Sequence, residues 1–73
     1  MNYIVTKCVL NDDNLLLLFP PESYQSIDEI YNSDLLNKFF NGKKIYQTKE
    51  EDSNEFFIKC VSDERKYIHI LEK

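Results

Sequence analysis

Alanine and tryptophan are absent from this sequence, and glycine, arginine and histidine occur once each. A single glycine, Gly42, excludes the glycine-rich loops that cradle phosphates. One histidine and two cysteines, with no C-x2-C pair, argue against a structural zinc site, which takes four ligands and commonly contains such pairs. Two cysteines also fall short of a disulfide framework, so Cys8 and Cys60 are expected as free thiols and no cofactor or metal is expected. No apolar run reaches the roughly 18 residues of a membrane span, and the first residues lack the basic and long apolar regions of a secretory signal. A cytoplasmic chain without a membrane partner is the expectation.

What is present is an ordinary balance for a folded domain, 42% hydrophobic and 30% charged residues. A chain of about this length buries only about 60% of the surface its unfolded form exposes. Residues 1–73 are therefore read as one small domain with a shallow core and no enclosed cleft, which excludes most enzyme architectures. Eight lysines, seven asparagines and seven isoleucines against no alanine follow A/T-rich codon usage. That skew points to low-GC bacteria, their phages and plasmids, or some A/T-rich viruses and protists, hence to the cytoplasm of a low-GC bacterium or an infected host cell, and is silent on chemistry.

The hydropathy pattern predicts an α+β fold. Tyr3–Leu10 is rich in β-branched and aromatic residues, Asn11–Asn14 in turn formers, and Leu15–Phe19 is apolar throughout, which together predict a β-hairpin. Pro20 and Pro21 end its second strand, since neither can donate to a ladder. Ser26-Ile27-Asp28-Glu29 fits a capping box and opens a helix. On one straight cylinder Ile27, Ile30 and Tyr31 share a side, while Leu35, Leu36, Phe39 and Phe40 drift around it. The drift predicts a kinked or two-part helical segment, with Ser33 capping the second part and Asn41-Gly42 as the stop. Lys43–Lys49, Glu55–Val61 and Lys66–Glu72 then read as a strand meander. The expected order is ββ(α)βββ, a single-layer antiparallel sheet with the helical segment on one face.

Two strands break the alternation that such a layer should show. Leu15–Phe19 and the segment around Phe56, Phe57, Ile58, Cys60 and Val61 are apolar on both faces. One helical layer covers one face, so the sheet must curl over itself, pair with a second copy, or meet another protein.

Groups able to carry chemistry are scattered. His69 alternates with Ile68 and Ile70 and shares its face with Tyr67 and Leu71, yet no local motif supplies an oriented partner and a nucleophile. The acidic runs Asp12-Asp13 and Glu50-Glu51-Asp52 fall in turns and lack the alternating oxygen ligands of a calcium loop. Lys43, Lys44 and Lys49 around Tyr46 suggest a stacking face for nucleic acid, but three acids follow at once and the isoelectric point is near 4.8, so direct nucleic-acid binding is not expected.

Charge by segment is more telling. Of the net −4, residues 22–42 carry −3 and residues 1–21 carry −1, while the rest is neutral. The helical segment is thus the acidic part, suited to steer toward a basic protein surface such as that of a nucleic-acid-binding protein. The expected function is a non-catalytic protein-binding domain, of the kind that a mobile element uses to inhibit or regulate a host protein. Glu22, Asp28, Glu29 and Asp34 supply its electrostatics, and Tyr24, Tyr31 and Tyr46 its aromatic anchors, a type enriched at binding hot spots. The alternative is a structural homo-oligomer or assembly subunit, and a two-fold dimer is expected on either reading.

Overall fold

The computed structural model describes residues 2–73. Six strands and two short helices follow one another as β1 (Tyr3–Leu10), β2 (Leu16–Leu18), β3 (Glu22–Tyr24), α1 (Ile27–Asn32), α2 (Leu35–Phe40), β4 (Ile45–Lys49), β5 (Glu55–Cys60) and β6 (Lys66–Glu72). All pairings are antiparallel, in the order β2-β1-β6-β5-β4, with β3 also on β1. The fold is α+β, and the expected order ββ(α)βββ needs one correction: a third strand precedes the helices.

That strand arises where the two prolines seemed to end pairing. β2 sets Leu18 opposite Cys8, and β3 sets Glu22 opposite Val5 on the same edge of β1. Phe19, Pro20 and Pro21 thus span Thr6 and Lys7, one residue more than the partner strand offers. The extra residue is a bulge on an edge, where a missing N–H costs no ladder bond. β2 and β3 are two halves of one interrupted edge strand.

The helices carry the chain from that edge across one face to β4 at the other. Ser26 caps α1 by accepting the Glu29 amide at 3.1 Å. Ser33 separates the two helices in extended geometry, its hydroxyl donating to the Ile30 carbonyl at 2.7 Å and accepting from the Leu35 amide at 3.3 Å. Asn41 and Gly42 both take left-handed angles, φ +54° and +72°, and close α2. The break at Ser33 turns Ile30, Leu36 and Phe40 toward the same sheet face, where they bury against Val5, Phe56, Ile58, Cys60, Ile68 and Ile70. Alternation along β5 follows the pleat, with Phe56, Ile58 and Cys60 buried and the residues between them half-buried.

The opposite face carries Ile4, Thr6, Cys8, Phe57, Lys59, Tyr67, His69, Tyr46 and Leu18, as the cross-strand partners require. No helix covers it. Sheet curvature does not shelter β2 either, because Leu15, Leu16, Leu17, Leu18 and Phe19 remain 42–64% exposed. Among the described residues, no helix is long and apolar enough to cross a membrane.

Candidate functional site

The acidic residues gather around the helical layer. Asp28 and Glu29 occupy the first turn of α1, where carboxylates meet unpaired amides. Glu29 also accepts from the Gln25 amide at 3.0 Å, one residue before the position a capping box reaches, so its carboxylate has a structural task. Asp34 precedes α2 but makes no capping bond, because Ser33 takes that role. Glu22 on β3 lies 3.8 Å from the ammonium of Lys7. All four carboxylates are on exposed residues, and among the described residues Asp28, Glu29 and Asp34 have no ion-pair partner.

Between β3 and α2 runs a shallow groove lined by Lys7, Glu22, Tyr24, Asp34, Lys38 and Phe39. It brings together three of the expected residues, Glu22, Tyr24 and Asp34. Tyr24 is half-buried against the core, so only part of its ring is available. Tyr31 lies elsewhere on α1, with its hydroxyl donating to Gln47 Oε1 at 2.7 Å and held above its ordinary pKa by burial. Tyr46 is exposed on the far face of the sheet, opposite Lys59. The sheet therefore separates Tyr46 from the helical side; of the seven residues the groove brings together Glu22, Tyr24 and Asp34, while Asp28, Glu29 and Tyr31 lie on α1 outside it and Tyr46 stands apart.

On the open face, residues from three strands meet, of which the sequence had grouped only His69 and Tyr67. Phe57 packs its ring 5.2 Å from His69 and 6.1 Å from Tyr67, and the Lys59 ammonium lies 5.6 Å above Phe57. His69 Nε2 stands 3.6 Å from Glu55 Oε1. Cys8 is buried beside Tyr67, and its thiol donates to the Thr6 carbonyl oxygen at 3.6 Å. Burial raises the Cys8 thiol, which is the wrong direction for a nucleophile. Cys60 points into the core on the other face, its pKa lowered by the hydroxyl of Ser62 at 3.5 Å. The sheet thus keeps Cys60 apart from Cys8 and His69, and both cysteines are free. Alternation placed Tyr67 and His69 on the face away from Ile68 and Ile70, but that this is the open face, and that Phe57 joins them, depends on strand register and on where the helices pack.

A third surface is the edge strand. Leu15–Phe19 presents five apolar side chains in succession, and Phe19 reaches Phe39 of α2 edge-on at 6.3 Å. The chain matches no family model, no curated protein and no solved structure.

Proposed function

We propose that this chain is a non-catalytic protein-binding domain that occupies a basic surface of another protein, as an inhibitor or regulator carried by a phage or mobile element acting in a bacterial cytoplasm. The observation that carries it is the set of exposed carboxylates Glu22 on β3, Asp28 and Glu29 on α1 and Asp34 before α2, three of them without an ion-pair partner among the described residues. Unpaired surface acids contribute little to folding, yet they steer a basic partner and set the encounter rate. A nucleic-acid-binding protein offers such a basic surface, with carboxylates taking the place of phosphates. Supporting the non-catalytic part, the thiol nearest His69 is buried and raised in pKa.

The test is capture by the immobilised domain and by the Asp28→Asn, Glu29→Gln, Asp34→Asn triple variant, followed by association kinetics with whatever basic protein is retained. Glutamine at 29 keeps an acceptor for the Gln25 amide, so the fold should survive. The variant should associate several-fold more slowly, and the wild-type rate should fall with added salt, since steering acts over a screening length of about 8 Å at physiological ionic strength. Equal rates for the two proteins would defeat the electrostatic proposal.

The second reading, a structural homo-oligomer or assembly subunit, is favoured by a different observation: the uncovered apolar strand at Leu15–Phe19.

A further inference from the structure

Leu15–Phe19 is an edge whose backbone has a defined polarity. Val9 pairs with Leu17, the Asn11 amide donates to the Leu15 carbonyl at 3.0 Å, and the Phe19 amide donates to the Lys7 carbonyl at 3.0 Å. Positions 15, 17 and 19 thus spend their backbone groups on β1. In an antiparallel ladder the alternate residues point the other way, so the N–H and C=O groups of Leu16 and Leu18 face outward. These four groups are unclaimed by a neighbouring strand, and the side chains around them are leucine and phenylalanine only.

We propose that this edge pairs with the same edge of a second copy of the chain, antiparallel about a two-fold axis at Leu17, so that two sheets become one. The inference rests on the homo-oligomer reading and names its interface. Three observations select a second copy as the occupant. First, the segment is self-complementary: pairing about Leu17 sets Leu16 of one copy opposite Leu18 of the other, where both residues direct their backbone groups outward and exchange two hydrogen bonds. The two-fold repeats that exchange, and Leu15 meets Phe19 beside it. Second, nothing between Leu15 and Pro21 is charged, whereas the opposite edge of the sheet, β4, ends in Lys49 and follows Lys43-Lys44. Lysine is a usual guard against edge pairing, and an unguarded edge next to a guarded one favours closure over head-to-tail growth. Pro20 and Pro21 confine the free ladder to its short central part. Third, the five residues are 42–64% exposed and offer on the order of 1,000 Å² over the two copies, which is the most that the pairing can cover and the size at which specific interfaces begin.

Light scattering at about 100 µM, well above the dissociation constants of modest interfaces, should give twice the 8.8 kDa chain mass. Leu17→Lys sets two ammonium groups against each other at the axis and should raise the dissociation constant roughly a thousandfold, which returns the monomer at about 100 µM. Leu17 is half exposed, so a lysine stem has room there and the circular dichroism should be unchanged. Val61→Lys, at another exposed apolar position, should stay dimeric. A readout that needs no variant is amide exchange: the Leu16 and Leu18 amides should gain protection as concentration rises, while the Leu17 amide, already on the β1 side, should not. A wild-type monomer at this concentration overturns self-association altogether. A dimer that survives Leu17→Lys, or one whose Leu16 and Leu18 amides stay unprotected, overturns the edge pairing and leaves the homo-oligomer reading standing. Masses above the dimer overturn the closed two-fold arrangement.

Discussion

Gly42 is the one residue whose identity the backbone dictates. Its φ of +72° follows Asn41 at +54°, two left-handed residues in succession that turn the chain from α2 toward β4. A methyl group there would meet only Asn37 Oδ1, at an ordinary 3.5 Å, so space is not the constraint. The left-handed angle is, at about 1–2 kcal/mol for a residue with a β-carbon. Gly42→Ala should therefore lower the thermal midpoint by roughly 4–15 °C, since each kcal/mol moves a domain of this size by about 4–8 °C. Asn41→Gly at the neighbouring position should hold or raise the midpoint, because it removes a milder form of the same cost. Equal destabilisation by both would show that packing rather than backbone angle governs the turn. The same pair was legible in the sequence as a helix stop, because an Asn-Gly step after an apolar helical run has few other uses.

At the scale of elements, the break between α1 and α2 depends on one hydroxyl. Ser33 donates to the last carbonyl region of α1 and accepts from the first amides of α2, so Ser33→Ala unties both ends. The cost should be about 1 kcal/mol, within the range of cap deletions, and the midpoint should fall by roughly 4–8 °C. Asp34→Asn, at a position with no capping bond, should leave the midpoint within about 2 °C, which separates the serine's role from a general need for polarity there. The two-part helix could be read from the drift of Leu35, Leu36, Phe39 and Phe40 around a straight cylinder. β3 could not, because two prolines signal the end of a strand, and only three-dimensional pairing shows that the chain rejoins β1 beyond a bulge. The exposure of β2 was illegible for a related reason: five consecutive apolar residues show that both faces call for cover, but strand order, which places them on an edge, is not written in local pattern. The acidic half of the candidate surface was legible because charge clusters along the sequence. Tyr46 was not, since alternation fixes faces within a strand but not which face the helices cover.

For the whole molecule, the sum of its titrating groups sets the alkaline limit. Burial raises the pKa of Cys8, Tyr31, Tyr67 and Tyr3, with the Cys8 thiol adding to Tyr67 and the Glu72 carboxylate adding to Tyr3. A group raised on folding holds its proton more tightly in the native state than in the unfolded chain. Its contribution is complete below the unfolded value and is lost as pH climbs through the folded one. The window opens at the ordinary thiol value of 9.0 and continues past the ordinary phenol value of 10.0. Cys60 works in the opposite direction, since Ser62 lowers its thiol: its contribution grows as pH rises through the lowered folded value and is complete above the unfolded value of 9.0. Above 9.0 the Cys60 gain is complete and only the four raised groups still change, so stability falls. The thermal midpoint should be level from about pH 7 to pH 8.5 and should fall through about pH 10, a range that stops short of wholesale lysine deprotonation. Tyr67→Phe removes one raised phenol, so its midpoint should decline less steeply over the same range. A midpoint that stays level to pH 10 would show that these side chains are hydrated in the native state, and an equal slope in Tyr67→Phe would remove Tyr67 from the set.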